Sequence, residues 1–313
     1  MKNNKPSKVV WILIFTIITD NYNKYCIELD VCLFQMPIAN VKGVKIKYDE
    51  FGKERNKHIL FIHGLGSSSI AWRDIPEALS EHFHTIAVDL IGFGLSDKPE
   101  KEDYYKIKGF SRFIFDFREA IGIGKNEKMT IVGHSLGGYI AAEVAIENKD
   151  LVEKLVLIDS SGLLEQPTPM LLLYLDAAME TDPILRYKKV KRIFEDLLAD
   201  RSRLLPIVVD LFIGTIGKPG AKHAFKTAFD DSTTRRIEPD RLMQIKDIPC
   251  LIIWGRQDKL IPLEHANAFK AVFKKNLDSF VIIEDAGHGP FVEKTALVYD
   301  KLRTFLTQQD TTY

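Results

Sequence analysis

The sequence predicts an α/β protein: a mostly parallel central sheet with helices on both faces, interrupted by a helical insertion that forms a cap. Three observations predict it. Short apolar runs recur between residues 42 and 287, most of them too continuous to belong to one-faced strands. Helical spacing fills the intervals between most of these runs, as the joining of parallel strands requires. One interval, roughly 162–246, is far longer than such a connection needs.

Taken in order, the segment opened by Met36, MPIANVKGVKIKYDEFG, reads as the first strand, with VKIKY alternating like a half-buried one. HILFIHG (58–64), HTIAVDL (84–90), MTIVGHS (129–135), EKLVLIDS (153–160), CLIIWG (250–255) and SFVIIEDAG (279–287) have the pattern of strands buried on both faces. Helices are expected over 68–81, 110–122, 136–148, 263–275 and 291–307. Within the long interval, PMLLLYLDAAM (169–179) and RIFEDLL (192–198) read as cap helices folded over one end of the sheet. The expected organisation is an extension (1–35), a core made of 36–161 and 247–313, and a cap (162–246).

Composition narrows the function classes. A chain of 313 residues can bury a core without disulfide staples. Acidic and basic residues balance at 43 each, so the basic footprint of a nucleic-acid binder is missing and no nucleic-acid partner is expected. Cys26, Cys32 and Cys250 have no metal-ligand spacing around them, and neither a metal nor an organic cofactor is expected.

The front end reads differently. Lys2, Lys5 and Lys8 precede the apolar run Val9 to Thr19. Those eleven residues would span about 16 Å as a helix, against roughly 30 Å of bilayer hydrocarbon. Three readings stand: a signal or anchor segment, a dispensable extension before a start at Met36, and a docked helix. Membrane contact through residues 9–19 and a secreted or membrane-associated location follow from the first, a cytoplasmic location from the second.

The strongest local signal is Gly133-His134-Ser135-Leu136-Gly137-Gly138. A G-x-S-x-G match alone is weak, with about 0.1 expected by chance in a chain of this length. An apolar strand directly before it and a helical pattern directly after it make it specific, because the motif works through a sharp strand-to-helix turn. Gly133 and Gly137 leave room for that turn, and Ser135 is the expected nucleophile. A serine needs a base, and the base an orienting acid, in the chain order serine, acid, histidine. His288 in DAGHGPF and Asp258 in WGRQDKLIP each follow an apolar strand and fill those roles. Asp285, three residues from His288, is a rival acid on the same loop. The oxyanion donors are expected to be the backbone N–H groups of Leu136 and Leu65, with Gly64 and Gly66 letting the early loop turn and His63 placing it.

These motifs resemble the α/β-hydrolase fold superfamily in its serine-nucleophile, esterase- or lipase-like branch with a helical cap. The likeness runs from about residue 40 to 308 through HGLG (63–66), DLIGFGLSD (89–97), GHSLGG (133–138), and GRQD with GH at 255–258 and 287–288. It implies that Asp89 and Ser96 buttress the entrance and that the cap shapes specificity. It also implies hydrolysis of a carboxylic ester through an acyl-enzyme.

The alternative is a carbon–carbon bond hydrolase of ring-cleavage products. It ranks second because HGLGSSS and Gly289 depart from that group's Gly-Ser-Gly-Pro type loop and its tryptophan after the catalytic histidine. A cofactor-free perhydrolase and a non-enzymatic binding protein rank lower. The expected partner is a small molecule with a hydrophobic part, suggested by Leu65, Leu136 and PMLLLYL. RYKKVKR (186–192) reads mainly as a solvated helix face. No oligomeric state is implied.

Overall fold

Burial of whole strands sets the architecture. Every residue of His58–Ile62 (β3) and His84–Val88 (β4) is buried, so neither strand has a face for water. The computed structural model describes residues 36–72, 74–273 and 279–308; the expectations for residues 1–35, Cys26 and Cys32 among them, lie outside these. Two strands precede β3, Ile38–Val41 (β1) and Val44–Phe51 (β2), and four follow β4: Met129–His134 (β5), Val152–Ile158 (β6), Cys250–Gly255 (β7) and Ser279–Ile283 (β8). They form one sheet in the order β1-β2-β4-β3-β5-β6-β7-β8. It is parallel from β4 to β8 and antiparallel where β2 joins β1 and β4.

The segment expected as one first strand is a hairpin. Lys42 (φ 52°) and Gly43 (φ 90°) supply the two positive-φ residues of a tight turn between β1 and β2.

Side-chain alternation divides the core. Leu60, Ile131, Leu157 and Ile252 point to one face, covered by Ile107–Ala120 (α2) and Leu136–Glu147 (α3). Phe61, Val132, Val156 and Ile253 point to the other, where Trp72, Ile75–Leu79 (α1) and Thr295–Thr307 (α11) pack.

Two expected helices are broken. Over 68–81 a 3-10 turn at Ser69–Trp72 gives way to α1, because Pro76 has no N–H to continue the ladder back to Trp72. Over 291–307 a short helix, Pro290–Glu293 (α10), is separated from α11 at Lys294.

Five helices lie between β6 and β7: Pro169–Met179 (α4), Pro183–Leu197 (α5), Pro206–Ile216 (α6), Ala221–Thr234 (α7) and Pro239–Leu242 (α8). Four begin on proline, whose missing N–H costs nothing in a first turn. Thr168 and Asp182 cap α4 and α5 by accepting from the N–H of Leu171 and Leu185. The basic stretch on α5 is largely ion-paired within the cap: Lys189 to Asp176 and Glu180, Lys191 to Glu195, Arg192 to Asp196. Glu264–Val272 (α9) completes the core helices. No helix of the described residues is long and apolar enough to cross a membrane.

Candidate active site

A parallel sheet aligns the carboxyl ends of its strands along one rim. The rim carries His63 after β3, Asp89 after β4, Ser135 after β5, Asp159 after β6, Asp258 after β7 and His288 after β8. At Ser135 the chain turns from β5 into α3 with φ 54° and ψ −118°, a strained conformation for a non-glycine residue. Crowding explains the flanking glycines. A Cβ on Gly133 would strike the backbone of Gly137, and one on Gly137 would strike the carbonyl oxygen of Ile62. The Ser135 carbonyl is fixed by the N–H groups of Gly138, Tyr139 and Ser161 and by the Ser161 hydroxyl.

His288 Nδ1 lies 2.7 Å from Asp258 Oδ2, and the Asp258 side chain is fully buried. The other Asp258 oxygen accepts the N–H of Leu260 (2.8 Å) and of Ile261 (3.0 Å). That locks the carboxylate and leaves His288 Nε2 to take a proton. The rival Asp285 is exposed and lines a separate cavity of about 310 Å³ with Asp200, Arg203 and Lys294. The acid paired with His288 is Asp258.

His63 ties the early loop to its neighbour. Its Nε2 accepts the Leu90 N–H at 3.0 Å, so Nδ1 is the protonated nitrogen and donates to the Gly64 carbonyl at 2.7 Å. Gly64 packs against the elbow: a Cβ there would come within 3.1 Å of Ser135 Cβ. Asp89 Oδ1 and Oδ2 accept the N–H groups of Ser69 and Leu95, and the Ser96 hydroxyl donates to the Asp89 carbonyl. These residues brace the loops.

Several residues that the sequence did not flag serve the site. His134 donates from Nε2 to the His288 carbonyl at 2.7 Å, and the two rings stand 4.8 Å apart, so the residue beside the nucleophile holds the base's backbone. Glu293 joins cap to core: Oε1 accepts the Gly287 N–H (2.6 Å), and Oε2 accepts Ala199 N–H (2.9 Å) and Asp200 N–H (3.3 Å). The His288 N–H itself donates to the Leu197 carbonyl at the end of α5. Tyr174 of α4 donates from its hydroxyl to the Leu65 carbonyl at 3.0 Å. Its ring packs with Phe212 and Phe225 (centroids at 5.7 and 5.2 Å). A Cβ on Gly66, which has φ 72°, would collide with the Tyr174 hydroxyl and with the rings of Phe212 and Phe225. The cap therefore lays an aromatic wall on the Leu65 loop. Ser135 and His288 are each 6 % exposed, so the site is closed beneath it.

Among the described residues one grouping brings possible metal ligands together: His134, Asp159 and His288, with one atom of each within 4.8 Å of the others. His288 Nδ1 is already paired with Asp258 and His134 Nε2 with the His288 carbonyl, so neither of those ring nitrogens is left over for an ion. A larger cavity of about 800 Å³ involves α2, α3 and the end of the cap but none of the triad. Its wall includes charges already paired, such as Arg241 with Glu143.

Burial holds the His63 imidazole below its ordinary value, and burial with the adjacent His288 holds His134 well below it. Both fold neutral, so the unfolded chain binds two protons that the folded chain refuses below about pH 6.5. Asp159 opposes this in part, because burial and then the Asp258 charge raise its carboxyl well above the usual range. Burial, with His84 adding to it at His58, also holds the His58 and His265 imidazoles below their ordinary value. With four groups against one, stability should fall on acidification. The urea midpoint is expected to be lower at pH 5.5 than at pH 7.5; an equal or higher midpoint would refute the assignment.

A buried serine at a strand-to-helix elbow, together with a buried His288–Asp258 pair on the same rim, is the machinery of a serine hydrolase. The chain belongs to the family described as the alpha/beta hydrolase fold, which it matches over residues 57–295. It is 31% identical over 262 residues to an uncharacterized protein of Mycobacterium tuberculosis, covering 79% of this chain and 74% of that one. It is 29% identical to Lipase 1 of Psychrobacter immobilis, over 85% of this chain and 83% of the lipase. It is 26% identical to the 2-hydroxy-6-oxo-6-(2'-aminophenyl)hexa-2,4-dienoic acid hydrolase of Metapseudomonas resinovorans, over 87% of this chain and 90% of that enzyme. Among solved structures, the meta-cleavage product hydrolase of Pseudomonas fluorescens IP01 superposes with a TM-score of 0.73 at 22% identity, over 86% of this chain and 97% of its own. At that identity the likeness is one of fold.

Proposed function

We propose that this chain hydrolyses a bond to a carbonyl carbon in a small, partly apolar molecule, and that the bond is the carbon–carbon bond of a ring-cleavage product. The ester reading that leads from the sequence motifs takes second place. The observation carrying this order is the extent of likeness to the Metapseudomonas resinovorans hydrolase, which runs through 90% of that enzyme against 83% of Lipase 1. The aromatic wall of Tyr174, Phe212 and Phe225 offers an aryl group a stacking surface. The ester reading draws support from the higher identity to the lipase, 29% against 26%.

Both readings share one cycle. His288 Nε2 takes the Ser135 proton as Oγ attacks the carbonyl, and the N–H groups of Leu65 and Leu136 receive the oxyanion. Gly64 packed beside Ser135 and the Tyr174 hydroxyl on the Leu65 carbonyl support that role, since together they restrain the donor peptide. His288 then protonates the leaving group, a dienolate carbon in one case and an alkoxide in the other. Water, deprotonated by the same imidazole, releases the acyl group from Ser135.

The test is relative kcat/KM on 2-hydroxy-6-oxo-6-phenylhexa-2,4-dienoate and on p-nitrophenyl butyrate. A preference of about a hundredfold for the dienoate is expected, the loss that a misplaced reacting group brings to the poorer substrate. Preference for the butyrate would overturn the carbon–carbon reading and leave acyl transfer at Ser135 standing.

A further inference from the structure

The rim holds one more carboxyl than a triad needs. Asp159 ends β6 as Ser135 ends β5, and its backbone also turns through positive φ (43°). Short polar side chains tolerate that region best, yet it still costs about 1–3 kcal/mol and calls for a reason. The side chain is fully buried. Oδ1 accepts the Gly255 N–H at 2.8 Å, three residues before Asp258, while Oδ2 has no hydrogen-bond partner among the described residues. One of its oxygens lies within 4.8 Å of a ring nitrogen of His288 and of His134.

We propose that Asp159 is a reserve positioning acid for His288, a second carboxyl that takes over the imidazole when Asp258 is neutralised. The inference rests on the serine-hydrolase reading of the same site. Two adjacent buried carboxyls cannot both ionise without a large penalty, so donors decide which one does. Asp258 receives three: the N–H groups of Leu260 and Ile261 and the His288 ring. Asp159 receives one from Gly255. The titratable groups facing it are His134 and His288 together with Asp258 and Glu293, and the two acids raise its pKa after burial has done so. Asparagine in place of Asp258 removes the larger of those two charges. Asp159 then gives up its carboxyl proton, to the imidazole or to water, and the resulting carboxylate orients the ring from the β6 side; no other bond is made or broken in the exchange.

The experiment is a double-mutant cycle in the full chain, with p-nitrophenyl acetate as the acyl donor: Asp258→Asn, Asp159→Asn and the two together. Asp159→Asn keeps an oxygen for the Gly255 N–H and tolerates the positive φ. Loss of the orienting acid in a triad costs about 10⁴-fold in kcat. With a reserve acid, Asp258→Asn should lose only about a hundredfold, Asp159→Asn less than about threefold, and the double variant about 10⁴-fold, far more than the product of the singles. The acid limb of the kcat profile should stay near its parental position in Asp258→Asn, where a carboxylate still faces the imidazole, and move to lower pH in the double variant, which a packing role would not produce. The proposal is overturned if Asp258→Asn alone loses about 10⁴-fold, or if the Asp159→Asn effect is the same in both backgrounds. Should Asp159→Asn fail to fold, the loss in Asp258→Asn alone decides. Hydrolysis that survives Ser135→Ala would instead mean that the serine-hydrolase reading had failed, an outcome separate from failure of the reserve acid.

Discussion

Ser135→Ala is expected to lower kcat on p-nitrophenyl acetate by about 10⁴-fold or more, the scale seen when a triad nucleophile is removed. The fold should not suffer. The elbow's strain lies in the backbone, its carbonyl is held by the N–H groups of Gly138, Tyr139 and Ser161, and none of these contacts uses the hydroxyl. Thermal unfolding should therefore be nearly unchanged while turnover disappears, and labelling by a fluorophosphonate should be lost with it. Activity within tenfold of the parent would show that some other group attacks the carbonyl. Because the imidazole, the Leu65 loop and the aromatic wall all stay in place, substrate binding should survive, so KM should shift far less than kcat.

Gly137→Ala should damage stability and catalysis together. The added methyl would sit inside contact distance of the Ile62 and His63 carbonyl oxygens, which belong to the central strand and to the loop carrying Leu65. Backbone cannot rotate away as a side chain can. The first turn of α3 must therefore lift off β3, at a cost of about 3 kcal/mol, the upper part of the range for overpacking. The same displacement moves Ser135 and the Leu136 N–H relative to the Leu65 loop, and a misplacement of about 1 Å can cost a hundredfold in rate. Urea unfolding and kcat/KM measured on one preparation test both claims. A stability loss without an activity loss would mean that α3 moves as a unit and carries the nucleophile correctly with it.

The triad could be read from the chain because each member ends a continuous apolar run. A run buried on both faces implies a parallel strand, and parallel strands align their carboxyl ends. Ser135, Asp258 and His288 are thus brought to one rim by sheet geometry alone. Asp258 could be preferred to Asp285 for the same reason, since it follows a strand of its own. His134, Asp159 and Glu293 gave no comparable signal. His134 meets the His288 carbonyl across 154 residues, and Gly255 meets Asp159 across 96. Glu293 reaches the cap N–H groups of Ala199 and Asp200 over 94 and 93 residues. In the sequence these are a histidine inside a motif, an aspartate after a strand and a glutamate in a helical pattern. The hairpin at Lys42–Gly43 was hidden because alternation runs on through it, and only the two positive φ angles reverse the chain.

By itself the sequence determined the α/β class, the long helical interval before CLIIWG and the order nucleophile, acid, base, because hydrophobic period and chain order are local properties written one residue after another. Only the tertiary structure decided how the cap seats on the catalytic loops and that a second carboxyl, Asp159, stands buried beside the imidazole. Those outcomes depend on burial and on donors brought from distant strands, and a buried carboxyl's charge is a property of its surroundings that no residue carries alone.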